Sequence, residues 1–126
     1  MGLGFLATVR EDGAPRLHPV CPIVAAGGLY VFVVPSPKRA DLKRDGRYAL
    51  HCYPPEEIDD EFCVMGRATR VSDPAVREEV AAAYHAPVQD QWLLFSFDVE
   101  RCLHAKYRYR GDWPPGYSGW VDPELA

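Results

Sequence analysis

"LGFLATVREDGAPRLHPVCPIVAAGGLYVFVV", Leu3 to Val34, decides the fold. Leu3 to Arg10 is apolar and β-compatible, and Glu11 to Pro15, centred on Asp12-Gly13, is a hairpin turn signal. Arg16 to Ala25 returns as a second strand. Its alternation sends Leu17, Pro19, Cys21 and Ile23 to one face, and Arg16, His18 and Val20 to the other. Proline has no N–H to give a ladder, so Pro19 and Pro22 predict an edge, a bulge or a stop in pairing. After Ala26 to Gly28, Leu29 to Val34 is apolar on both faces, as a central strand requires.

Downstream, Ser36-Pro37 reads as a helix start: a hydroxyl to cap free N–H groups, then proline at the first helical position. This helix ends near Asp45-Gly46. Lys38 and Arg39 lie in its first turn, where the helix dipole favours acids. One reading is a solvated pair, with Lys38 beside Asp41 or Leu42 and Asp45 neutralising the far end; such surface pairs are worth about 0–1 kcal/mol. The other is a bound phosphate, held by the helix N–H groups with Ser36, Lys38 and Arg39, and by Arg16 from a neighbouring strand.

Arg47 to Tyr53 reads as a fourth strand, Pro54 to Asp60 as an exposed acidic turn, and Glu61 to Val71 as a long fifth strand. Gly66 within it marks a bulge or a close approach. Ser72 to His85 is an amphipathic helix capped by Asp73 and started by Pro74, with Val76, Val80 and Tyr84 on one face. Two more strands fit within Trp92 to Arg110, and Gly111 to Ala126 is a turn-rich aromatic tail. The order predicts a mainly β (α+β) chain, a small antiparallel barrel with one short and one longer helix. Residues 1–110 form the barrel unit and 111–126 its tail.

At 126 residues the chain is one domain by length. A net charge of -4 excludes the basic excess of a general nucleic-acid binder. Eleven arginines stand against three lysines, a bias that suits bidentate recognition but also follows from genomic composition. No apolar run approaches the roughly 20 residues of a membrane span. The start, "MGLGFLATVR", lacks the basic region of a secretory signal, so a cytoplasmic location is expected. Cys21, Cys52, Cys63 and Cys102 are too scattered for a metal finger and read as small buried groups. His18, His51, His85 and His104 are equally dispersed, so neither a zinc site nor a cysteine–histidine pair is expected.

"GFLATVREDGAPRLHPVCPIVAAGGLYVFVVPSPKRADLKRDGRYALHCY" resembles the opening half of the pyridoxamine 5'-phosphate oxidase-like family, the flavin-binding split β-barrels. The resemblance continues through "DDEFCVMGRATRVSDPAVREEVAAAYH" and fades in the tail. It implies a split barrel of about six or seven strands, a homodimer, and FMN in a groove between subunits. Relatives carry a short leader helix before the first strand, so a trimmed N-terminus is also implied.

Carried over by position, the family's phosphate-binding arginine falls on Arg16. Its serine–basic–lysine turn falls on Ser36, Pro37 and Lys38, with Arg39 one place later substituting for the lost basic residue. The flavin ring would lie against backbone at Pro19, Val20 and Cys21 and along Val33 and Val34, where interrupted pairing leaves polar groups free. His18 shares the strand face of Arg16; it lines the cavity in one reading and is a packed or surface histidine in the other. Tyr107, Tyr109, Trp113 and Trp120 stack on a ring across the dimer or pack on their own barrel.

Three departures stand out. Cys21 replaces a lysine, Glu61 replaces a glutamine that helps the flavin, and the oxidase's C-terminal arginine/histidine substrate motif is missing. Pyridoxamine phosphate oxidase activity itself is therefore not expected. The implied function is an FMN-binding oxidoreductase acting on a small molecule. Its alternatives are a deazaflavin-coenzyme-dependent reductase, a flavin or haem carrier without turnover, and a structural barrel. For haem, His104 is the one histidine suited as axial ligand.

Overall fold

In a computed structural model, residues 2–52 and 59–125 are described. The predicted strand end at Tyr53 and turn residues 54–58 lie outside them. The strands are β1 (Gly4–Val9), β2 (Pro15–Val20), β3 (Ile23–Ala25), β4 (Gly28–Val33), β5 (Arg47–Cys52), β6 (Glu61–Arg70), β7 (Leu93–Lys106) and β8 (Gly116–Val121). Helix α1 (Pro37–Arg44) joins β4 to β5, and α2 (Pro74–Ala82) joins β6 to β7. A short 3-10 turn, Pro123–Leu125, follows β8.

The ladder runs β2-β1-β5-β6-β7-β4-β3, with β8 added to β7, and each pairing in it is antiparallel. Its two outermost strands, β2 and β3, are consecutive in sequence and separated only by Cys21 and Pro22. The sheet therefore curls until its ends meet at that corner, giving a split β-barrel. The predicted single strand from Arg16 to Ala25 is two strands, because pairing stops where Pro22 has no N–H to give.

Two hairpin turns make the curl. In the first, Gly13 takes φ 87°, the Arg10 N–H donates to the Ala14 carbonyl at 2.8 Å, and Asp12 Oδ1 accepts from the Ala14 N–H at 3.0 Å. In the second, Ala26 and Gly27 have φ 49° and 72° between the paired residues Ala25 and Gly28. That is a two-residue turn with both φ positive, whose twist matches the flanking strands.

Inward side chains from six strands meet in one core: Leu6, Val20, Val31, Val33, Tyr48, Leu50, Val64, Ala68, Phe95 and Phe97. Leu42 of α1 joins them, so the short helix closes one end of the barrel. Burying a leucine of this kind contributes about 1.5–3 kcal/mol. A second cluster lies outside the barrel wall, where Val76, Val80 and Tyr84 of the α2 region pack on Ile23, Tyr30, Phe32 and Leu94. Asp73 caps α2 by accepting from the Ala75 N–H at 2.9 Å. Arg77 then ties α2 to the wall, donating to the carbonyls of Trp92 and Gln89 and lying 5.3 Å from the Phe32 ring centre.

Gly66 carries both features predicted for it. The β6–β7 register shifts between Met65 and Gly66, leaving Glu100 as an extra residue on β7. A β-carbon at Gly66 would also collide with the carbonyl oxygen of Asp98. Two expectations change. The segment read as two strands after Trp92 is one strand of 14 residues, and the bulge at Glu100 is what broke its alternation. The tail read as turns contains β8, which pairs with β7 from Val121–Arg101 to Gly116–Lys106.

Candidate functional site

Thr8 and Arg16 face each other across the β1–β2 ladder, and both point towards α1. There they meet Asp41, whose side chain is 3% exposed. Asp41 Oδ2 accepts from Thr8 Oγ1 at 2.8 Å and from Arg16 Nε at 2.7 Å, while Oδ1 accepts from Arg44 Nη2 at 3.3 Å. Arg44 Nη2 also donates to the Val9 carbonyl at 2.6 Å, so the end of α1 is stitched to the end of β1. Burial acts to raise the Asp41 pKa. The hydrogen bonds from Arg16, Thr8 and Arg44 outweigh it and hold the carboxyl below its ordinary range.

This network floors a cleft of about 480 Å³ lined by Arg10, Glu11, Asp12, Arg16, Pro37, Ala40, Asp41 and Arg44. Three arginines stand against three acids there, so the formal charges cancel. What the cleft offers is positioned guanidinium donors rather than a large positive field. Arg16 meets Asp41 through Nε, and among the described residues its two terminal NH2 groups take no hydrogen-bond partner. Arg10 is looser, 3.5 Å from Asp12 with both side chains about half exposed.

The other predicted residues distribute around this point. Ser36 occupies the N-cap position, but its hydroxyl turns back and donates to the Val34 carbonyl at 2.8 Å; the expected cap is not made. Its own carbonyl accepts from the Arg39 and Ala40 N–H groups. Arg39 donates through Nη1 to the Gln91 carbonyl at 2.9 Å, tying α1 to the segment before β7. Lys38 is half-buried, and desolvation lowers its pKa. In the solvated-pair reading Asp41 would have served Lys38; it serves Arg16 and Arg44 instead. Asp45, expected to neutralise the helix end, pairs with Arg47 at 2.7 Å, which brings its pKa to about 2.

His18 lies on the inward side of β2 with Arg16, and its Nε2 is buried with no hydrogen-bond partner among the described residues. Pro19 is exposed, Val20 and Val33 are core, Val34 is at the surface, and Cys21 is half-buried at the β2–β3 corner. A hydrogen bond with Cys21 is among the causes, after burial and the thiol's charge, that raise the Tyr84 pKa. Glu61 is elsewhere in the same chain: it opens β6 opposite Ala105, and its carboxylate lies 3.8 Å from His51 Nε2. Sequence reasoning missed Asp41, Thr8, Arg10 and Arg44. Thr8, a hydroxyl two residues after Leu6 on the inward face of β1, was the available sign of a buried polar network.

An antiparallel sheet curled on itself, closed at one end by a short helix, with an arginine cleft beside that helix, defines a split β-barrel. The chain belongs to the pyridoxamine 5'-phosphate oxidase family, whose model matches residues 2–104. Among curated proteins no match was found. Solved structures resemble it in fold. A haem-binding protein from Mycobacterium smegmatis is 18% identical with a TM-score of 0.76; the match covers 96% of this chain and 53% of that one. A conserved hypothetical protein from Mycobacterium tuberculosis is 22% identical, with a TM-score of 0.69 and coverage of 81% and 75%. A protein from Clostridium acetobutylicum related to general stress protein 26, of the pyridoxinephosphate oxidase family, is 15% identical, with a TM-score of 0.70 and coverage of 100% and 89%.

Proposed function

We propose that this chain is an FMN-binding oxidoreductase acting on a small molecule, with the cofactor phosphate at the junction of β2 and α1. The observation that carries the reading is Arg16, held through Nε by buried Asp41 and left with two terminal amino groups at the cleft. A guanidinium fixed on one edge presents its other edge without the entropy cost of ordering a free side chain. Lys38 supports the reading too. Desolvation disfavours its charged form, and a phosphate beside it would favour that form. The buried, unpartnered Nε2 of His18, on the same strand face as Arg16, is a polar atom suited to a cofactor along β2.

In this reading Arg16, Ser36, Lys38 and Arg39 lie near the phosphate of the flavin, with Pro19 to Cys21 and Val33 to Val34 along the ring. Arg16 already lines the cleft, while the Ser36 hydroxyl would turn from the Val34 carbonyl and Arg39 from the Gln91 carbonyl. When bound, the flavin supplies hydride transfer; the chain supplies anchoring, ring surroundings and the exclusion of water. The second half of the site would come from a second copy. The outward face of the sheet carries Leu17, Phe5 and Leu103, which are 66%, 37% and 47% exposed. Phe5, His51, Cys63 and Leu103 lie on it in one cross-strand row that starts at Pro19. A homodimer through this face would bury that row and bring Glu61 of a second copy towards the first copy's cofactor.

One observation favours a second reading. The Mycobacterium smegmatis relative is named a haem-binding protein, and His104 of this chain sits edge-on to Phe62 with ring centres 6.1 Å apart. Both readings meet one experiment. Purified protein is incubated with FMN, deazaflavin coenzyme or haemin, desalted, and scanned from the near ultraviolet through the visible. Retained FMN is the expected result; retention of none overturns cofactor binding. Arg16→Ala and Lys38→Ala should each weaken FMN by about 10-fold or more, the loss of a charge-assisted hydrogen bond, and leave riboflavin nearly unchanged. Equal losses for FMN and riboflavin would show that these residues do not hold phosphate.

A further inference from the structure

The long strand β7 is paired on one edge by β6 from Phe95 to Ala105, apart from the bulge at Glu100, but its other edge is shared. β4 pairs with it from Leu93 to Ser96, and β8 from Arg101 to Lys106. Between them the edge is interrupted around Phe97 to Val99, and among the described residues Val99 has no strand partner there. The Glu100 carbonyl accepts from the Asp122 N–H at 2.8 Å, which closes the β8 end of the gap. Asp98 turns its carbonyl to the β6 side, where the Tyr48 hydroxyl donates to it at 2.9 Å. Strand alternation then sends the backbone groups of Phe97 and Val99 to the other edge, where the Phe97 N–H completes the β4 ladder opposite Leu29 and the Phe97 carbonyl and Val99 face the gap.

A pocket of about 610 Å³ lies over this gap, within the range of small-molecule sites. Its wall is apolar, with Leu29, Phe62, Val64, Phe97, Val99 and Cys102. At the rim, Val24 is 84% exposed and Phe62 is 42% exposed. Among the described lining residues the only charged one is Asp98. The pocket is thus the electrostatic opposite of a phosphate site, and it shares no lining residue with the Arg16 cleft.

We infer that the gap in β7 is a second ligand site, for an uncharged or cationic planar heteroaromatic molecule of two or three fused rings. Its faces would lie against Phe62, Val64 and Val99, and donors and acceptors on one edge would meet the Phe97 carbonyl and the backbone N–H and C=O of Val99. An added peptide strand does not fit, because β4 and β8 occupy the same edge on either side. An anionic ligand would meet Asp98 and no cation.

The probe is lumichrome, an uncharged fused tricycle with N–H and C=O groups along one edge. Protein with isotope-labelled valine and leucine methyls is titrated with it and followed by NMR. Saturable shifts at Val24, Leu29, Val64 and Val99 are expected, whether or not Val20, Val33 and Val34, beside the proposed flavin ring, also move. Phe62→Ala should weaken binding about 10-fold through loss of the aromatic wall, while Arg16→Ala changes it less than about twofold. Shifts confined to Val20, Val33 and Val34, equal affinity in Phe62→Ala at the Val64 and Val99 signals, or no saturable binding would each overturn the assignment. FMN retention and its loss in Arg16→Ala are read separately, so failure of the phosphate site leaves a distinct signature from failure of this one.

Discussion

Asp41 is the residue on which the cleft depends. Replacing it with asparagine keeps its shape but leaves the Arg16 and Arg44 guanidiniums without their buried countercharge. Removing one partner of a buried pair costs about 3–5 kcal/mol. Arg44 is partly exposed and can rehydrate, so Asp41→Asn should cost about 3 kcal/mol, the lower end of that range. The sign with pH follows from the lowered carboxyl pKa. The stabilisation is complete above the unfolded value of 3.8 and is lost as pH falls through the lower folded value. Urea unfolding of wild type and Asp41→Asn should therefore differ clearly at pH 7, and the gap should shrink near pH 3. A gap unchanged at low pH would mean the carboxylate charge is not its source. Arg16 was legible in the sequence because strand alternation placed it with His18 and Val20. Its partner was not, because whether Asp41 serves Lys38 or Arg16 depends on how α1 docks against β1, a tertiary fact.

At the level of elements, the bulge at Gly66 lets β6 and β7 stay paired over ten residues of β6. An alanine there would drive its methyl into the Asp98 carbonyl, which is backbone and cannot swing aside. Gly66→Ala should lower stability by several kcal/mol, on the order of the larger strain effects known for single substitutions. Thermal melting with far-ultraviolet circular dichroism would measure it, and a loss below about 1 kcal/mol would mean the strands separate cheaply. Most elements could be read ahead of the structure because their punctuation is local: Asp12-Gly13, Pro22, Ser36-Pro37 and Asp73-Pro74. β7 could not, because its extra residue at Glu100 imitates a strand break. β8 could not either. Its six residues are all exposed, so "GYSGWV" carries none of the buried alternation by which strands are recognised.

For the molecule as a whole, the outward sheet face tests the proposed assembly. Leu17 is 66% exposed in the single chain, so Leu17→Arg should leave the fold intact. Placed on a self-complementary twofold interface, the same charge meets its own copy. The variant should sediment as a monomer at concentrations where wild type is a dimer. A wild type that is already monomeric would remove the interface and, with it, any role for Glu61 across the subunits.

The two-residue corner at Cys21-Pro22 has a consequence for alignment. Strand β2 cannot slide along β1 without dragging β3 along β4 by the same step. β3 is pinned in turn by the tight Ala26-Gly27 turn, which fixes Ala25 opposite Gly28. A slip of one residue would turn Arg16 and His18 outward. The position of the cleft arginine is thus indexed by a turn at the far end of the ladder, and that turn works as the reference mark for a site it never touches.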